Sequence, residues 1–302
     1  MQDQVAIARP LPGPALRPPI ANLRKGFAFL LVLACVVAAW EGYKLMAGAT
    51  GGRVPFTDVA LPVRGDDKSM PHVWDILAAL FSPRQRGSDE LLFPFLLKNA
   101  LFTWREAATG FLGGSTLGFL LGVAFARSKL LERGLMPYVV ISQTVPLIAI
   151  APMVVIWGSA VGWPAWVSVS LIAAYLTFFP VTINTLRGLL SPPATATELM
   201  RSYAATPSQM LWKLQVPAAL PYVFTALKVS ATASVIGAII GELPAGLNEG
   251  LGRSLLTFSY YYISGPEKLY GAILVSALLG IAFVGLVSGV ERLVVRRGGA
   301  GG

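Results

Sequence analysis

Residues 107–126 read AATGFLGGSTLGFLLGVAFA, twenty positions without a charged side chain. A helix of about 20 apolar residues crosses the hydrocarbon core of a bilayer. In lipid every backbone polar group needs a partner within its own segment, so the stretch must be helical. Transmembrane strands would instead alternate apolar and polar residues over about 10 positions, and that pattern is absent.

Working outward, similar windows occur at 27–46, 136–157, 165–186, 222–243 and 269–290. The whole chain of 302 residues is 55% hydrophobic and 13% charged, against about a quarter charged in soluble domains. The expected fold is all-α, a polytopic bundle of six transmembrane spans. For the first window a cleaved signal peptide competes, because Ala47, Gly48 and Ala49 follow it. Against cleavage, the apolar run is long for a signal sequence and a proline-rich tail precedes it.

Charge placement supplies an orientation. Residues 1–25 hold Arg9, Arg17, Arg24 and Lys25 among several prolines and read as a disordered cytoplasmic tail. Arg127, Lys129 and Arg133 form a short basic loop, the 187–221 segment carries Arg187, Arg201 and Lys213, and Arg292, Arg296 and Arg297 close the last span. Basic flanks stay in the cytoplasm, so both termini and these segments are expected there. The balanced 47–98 loop, with a short helix expected within 72–81, and the uncharged 158–164 loop fall on the outer side, which is the periplasmic side if the membrane is a bacterial inner membrane. Residues 26–297 make one transmembrane domain and 298–302 a glycine-rich tail. The net charge of +9 belongs to this topology, and no aromatic-basic nucleic-acid motif accompanies it. With one cysteine (Cys35) and one histidine (His72), no His/Cys metal site can be built.

Within the spans, Gly110, Gly114, Gly118 and Gly122 recur every four residues, making one stripe on a helix. Such a stripe lets two backbones approach closely or lines a pathway. Ala226, Ser230, Ser234 and Ala238 repeat the device, and Gly285 and Gly289 extend it to the sixth span. Pro146 and Pro152 interrupt the third span and imply a kink. Glu242 ends the fifth span, where an acidic group faces protein or water, since burial in lipid costs about 2.5–3.5 kcal/mol at the bilayer centre. It reads either as an interface carboxylate pairing with Arg253 or Lys268, or as a substrate or gate residue. Tyr260 and Tyr261, with Tyr262, read as an interfacial aromatic belt or as a platform for a planar solute.

The 187–221 segment is too polar to span and long for a connection. Residues 194–205 and 208–214 suit two short cytoplasmic helices, with Pro217 and Pro221 ending the second. Its residues resemble the EAA loop of bacterial ABC importer permeases: Glu-Ala-Ala, three residues, Gly, nine residues, Ile-x-Leu-Pro. Glu198 holds the Glu position, Leu199 and Met200 replace the alanines, Ala204 replaces the glycine, and Leu214 to Pro217 close the motif in register. Gln143 to Pro152 with Trp157-Gly158, Pro217 to Pro221 with Leu227-Lys228, and Gly241-Glu242 with Gly250-Leu-Gly252 resemble the nitrate/sulfonate/taurine permease family over about residues 70–292. The 243–249 stretch is lengthened relative to that family.

This resemblance implies a type I ABC importer permease working as a homodimer in the bacterial inner membrane. Two separate ATPase subunits would use ATP and Mg, and an extracytoplasmic solute-binding protein would deliver the solute. Glu198, Leu199, Met200, Tyr203, Ala204, Met210, Leu211, Leu214 and Pro217 are the expected ATPase-coupling residues. Gln143, Pro146, Glu242, Tyr260 and Tyr261 are candidates for the pathway or gate. No GxxxxGK[ST] loop occurs in the sequence, so no catalytic site and no cofactor bound by this chain are expected. A stand-alone secondary transporter or channel is the alternative; it would show paired ionisable groups at mid-membrane or inverted repeats. A membrane-embedded enzyme would need a cluster of acids, which Glu41, Glu106 and Glu242 do not form in sequence. Solutes in view are nitrate, sulfonates, taurine, or a pyrimidine-like thiamine precursor, with Glu242 and the tyrosines favouring a planar, non-anionic one.

Overall fold

A computed structural model describes residues 20–54, 59–85 and 87–298. The expected 1–25 tail and 298–302 tail fall almost entirely outside the described residues. The chain forms two compact units, 1–73 and 74–302. Among the described residues the secondary structure is helical, apart from two isolated β-bridges.

The first unit contains α1 (Ile20–Ala49), whose apolar side chains, Phe27, Phe29, Leu30 and Val36 among them, are exposed as lipid-facing groups are. Near its end, Lys44 Nζ donates to Asp67 Oδ1 at 2.6 Å. His72 Nδ1 lies 2.6 Å from Glu41 Oε2, and the Val73 amide donates to Glu41 Oε1 at 2.9 Å. The Lys44 ammonium, hydrogen-bonded to Asp67, holds that carboxyl below its ordinary value of 3.8.

The second unit comprises α2 (Val73–Ala79, beginning at the boundary), α3 (Leu92–Arg127), α4 (Lys129–Ser142), α5 (Leu147–Ala160) and α6 (Ala165–Leu189). After these come α7 (Ala194–Ser202), α8 (Pro207–Met210), a π turn over Leu211–Gln215, α9 (Val216–Glu242), α10 (Leu251–Tyr260) and α11 (Pro266–Gly298). Five helices are long and apolar enough to cross a membrane, and six spans result if the bent α4–α5 pair counts as one.

The core is the α3–α6–α9 packing. A Cβ at Gly110, Gly114, Gly118 or Gly122 would run into α6, meeting the Ser170, Ala174 and Phe178 carbonyl oxygens and the Thr185 side chain in turn. On the other side of α6, Gly237 and Gly241 of α9 lie against Ala173 and Val169. Gly285 and Gly289 on α11 face open space within the chain, so they do not continue this packing.

Several boundaries differ from the sequence reading. The third span is not one kinked helix: α4 and α5 meet at 99° across residues 143–146. Pro146 is the residue before α5 and brings no amide to the break, and the Tyr175 hydroxyl donates to the Ser142 carbonyl there. Pro152 sits inside α5 without ending it. The basic loop after α3 shrinks to Ser128, whose side chain caps α4 by accepting from the Leu131 amide at 3.3 Å. Lys129 and Arg133 therefore ride on α4. Pro217 and Pro221 do not end the second short helix either; helix continues from Pro207 to Glu242. The π turn, in which the Val216 amide reaches back to the Leu211 carbonyl, shifts the bonding pattern just ahead of Pro217, which has no amide to give.

Candidate functional site

Two ends of the bundle concentrate features beyond packing. At the Arg127 end, α7 begins after Pro193 and buries no residue. It closes with a Schellman motif: the Ala205 amide donates to the Met200 carbonyl at 3.0 Å and the Ala204 amide to the Arg201 carbonyl at 2.9 Å. Ala204 adopts φ 53°, the sole positive φ at a non-glycine among the described residues. This is the position where the resembling motif has glycine, which enters that region without a Cβ clash.

Thr206 then starts α8 through a capping box. Its hydroxyl accepts from the Gln209 amide at 3.3 Å, and Gln209 Oε1 accepts from the Thr206 amide at 2.8 Å. Arg127 donates to the Pro207 carbonyl at 3.2 Å, tying the end of α3 to this loop. Leu211 is buried against Leu189 and Ala219, so it anchors the segment to its own chain. Glu198, Leu199, Tyr203 and Pro217 are exposed, while Met200, Met210 and Leu214 are half-buried. Trp212, which the sequence reading did not single out, is 60% exposed. An exposed tryptophan in a polar, non-spanning segment was the available signal.

At the opposite end, Glu242 is fully buried. Its Oε1 accepts from the Thr103 hydroxyl at 2.6 Å and its Oε2 from the Gly252 amide at 2.5 Å. Thr103 Oγ1 also accepts from the Leu251 amide at 2.9 Å, and Asn99 Oδ1 from the Gly250 amide at 2.6 Å. Side chains of α3 and α9 thus satisfy the first free amides of α10, where the helix dipole also favours a carboxylate. The Gly-Leu-Gly spacing has a steric cause. A Cβ at Gly250, φ 114°, would meet the Glu242 carboxyl, and one at Gly252 would meet the Ile239 carbonyl oxygen.

The expected pairing of Glu242 with Arg253 or Lys268 side chains is corrected: Lys268 Nζ donates to the Pro83 and Arg84 carbonyls at 3.2 and 3.0 Å, and Glu242 takes Thr103 and Gly252. Of the three acids read as scattered, Glu106 of α3 faces Glu242, while Glu41 bonds His72 and Val73 in the first unit. Asn99, Thr103 and Glu106 were legible as an i, i+4, i+7 polar face leading into the glycine stripe, and the sequence reading missed it. Tyr260 and Tyr261, at the end of α10, are 78% and 65% exposed and do not join Glu242. Tyr261 lines a cavity of about 710 Å³ with Arg84, Thr257, Phe258 and Lys268. Gln143 and Pro146 lie exposed at the α4–α5 break. Among the described residues no group of three or more His, Cys, Asp or Glu is arranged to hold a metal ion.

The chain is 36% identical over 182 residues to the formylaminopyrimidine transport permease protein ThiX of Halalkalibacterium halodurans, covering 59% of this chain and 69% of that one. It is 31% identical to the riboflavin transport system permease protein RibX of Chloroflexus aurantiacus, covering 67% and 72%. The fold is shared with a crystal structure of an amino acid ABC transporter with histidines, at TM-score 0.52 and 16% identity, over 68% of this chain and 94% of that one. The family described as "binding-protein-dependent transport system inner membrane component" matches residues 114–297, and this chain belongs to it.

Proposed function

We propose that this permease couples to a separate pair of ATPase subunits through residues 194–215 and works as a homodimer. ATP and Mg act on those partners, and a solute-binding protein delivers the solute from outside. The observation that carries this reading is the exposed set Glu198, Leu199, Tyr203 and Trp212 on a polar segment between two spans. Large apolar groups left exposed beside a charge suit a protein partner. The basic flanks support a cytoplasmic location for this segment and for both termini.

The geometry supports a mechanical role. Helix runs unbroken from Pro207 to Glu242, 36 residues or about 54 Å. A displacement imposed at Trp212 is carried along this rod to the Glu242 joint with α3 and α10. ATPase closure at one end then moves the other end by rigid-body tilt.

For the solute, the reading is a small planar heterocycle, supported by the names of the two relatives. The involvement of Glu242 in substrate contact loses support, because its oxygens are already bonded within the protein. Glu198→Lys tests coupling: ATPase co-purification and ATP-driven uptake should fall while membrane insertion persists. Full co-purification with uptake independent of ATP would overturn the proposal. A ligand screen on the partner binding protein tests the solute class, and exclusive binding of nitrate or a sulfonate would reject the heterocycle.

A further inference from the structure

Glu106 lies one turn beyond Thr103 on the same face of α3 and is fully buried. Neither of its carboxyl oxygens has a hydrogen-bond partner among the described residues. It faces Glu242, also fully buried. The donors around the pair are committed elsewhere: the Thr103 hydroxyl and Gly252 amide to Glu242, with the Arg253 amide beside them, and the Leu251 and Gly250 amides to Thr103 and Asn99. The nearest cation on the same helix, Arg105, lays its guanidinium over the Phe102 and Trp166 rings, 4.8 and 5.0 Å from their centres. At the rim, Lys98 is paired with Glu249 at 2.7 Å.

Two adjacent carboxylates buried without a counter-ion cannot both remain ionised, because repulsion adds to the loss of hydration. One added proton removes a charge and supplies the missing donor. Its location follows from the bonding. Glu242 accepts O–H and N–H groups at a helix N-terminus, which stabilises its ionised form. Glu106 accepts none, so it gains by being the donor. We infer that Glu106 is held as the neutral acid and donates to Glu242, so that the joint of α3, α9 and α10 binds one proton as a built-in ligand. A metal cation is a poorer occupant: hard cations take six or more oxygens, and the Glu242 oxygens are already committed to donors.

The test is infrared spectroscopy of the full-length protein in lipid nanodiscs at neutral pH, in H₂O and D₂O. The expected result is a carboxylic-acid C=O band that shifts in D₂O and disappears in Glu106→Gln. Adding sodium, potassium, magnesium or calcium should leave it unchanged. Absence of a band that depends on Glu106 would overturn the inference, as would its displacement by one of those cations. Glu242→Gln gives an independent check should the first variant fail to fold. The band should move but survive, because Glu106 keeps its proton against an amide acceptor; its loss would place the proton on Glu242 and overturn the assignment.

Discussion

The Ala205 amide bonds the Met200 carbonyl at 3.0 Å, and the bond exists because Ala204, between them, turns to φ 53°. The left-handed region costs a residue with a Cβ about 1–2 kcal/mol. Ala204→Gly should therefore raise the melting temperature of the purified protein, and Ala204→Val, with a branched Cβ, should lower it. Equal melting of all three would mean that the turn is not held in this form. Alanine here thus holds a left-handed backbone that glycine, the residue of the resembling motif, adopts without a Cβ clash.

Leu211 and Leu199 lie a few residues apart in the proposed docking segment but differ in kind. Leu211 is 5% exposed against Leu189 and Ala219, and Leu199 is 56% exposed. Leu211→Ala should cost about 2–5 kcal/mol of stability. Leu199→Ser should leave melting nearly unchanged while weakening ATPase association. Melting curves and co-purification on the same two variants separate the roles; a destabilised Leu199→Ser with normal association would reverse them.

The α3–α6 seam makes a steric prediction. Gly114→Val places a branched Cβ against the Ala174 carbonyl and Thr177, and backbone cannot give way as a flexible side chain does. Folding yield in the membrane should collapse. Gly285→Ala meets nothing within 4 Å in this chain, so monomer folding should be unaffected. Yields of detergent-extracted, monodisperse protein would decide it, and a well-folded Gly114→Val would contradict the close approach.

How far sequence leads depends on which physical signal each element carries. The glycine stripe from Gly110 to Gly122 was legible because it repeats at helical spacing. Its continuation through Glu106, Thr103 and Asn99 was lost because charged Arg105, Glu106 and Lys98 ended the apolar window, though the helix runs back to Leu92. Hydropathy likewise registered α4 and α5 as one window, since composition carries no information about a bend at residues 143–146. Pro217 reads as a stop signal unless a π turn precedes it, and that turn is set by packing. Helix α10 is ten residues long and opens on Gly250, so neither length nor propensity announced it. Its start is fixed by Glu242, Thr103 and Asn99, which are distant in sequence.

At the clip of the first unit, pH enters with a definite sign. Asp67 sits below its ordinary value of 3.8 because Lys44 donates to it. A depressed carboxylate contributes its stabilisation above the unfolded value and loses it as pH falls through the folded one. The tie between α1 and the 59–72 segment should hold at neutral pH and weaken below about pH 4. Asp67 is 81% exposed, so salt should screen the effect. Limited proteolysis of the 59–72 segment across pH 3 to 7 would follow it, with Lys44→Met expected to show at neutral pH the cleavage that wild type shows in acid. Cleavage independent of pH in wild type, or resistance of Lys44→Met, would show that the neighbouring Glu41–His72 and Glu41–Val73 contacts hold the segment without this pair.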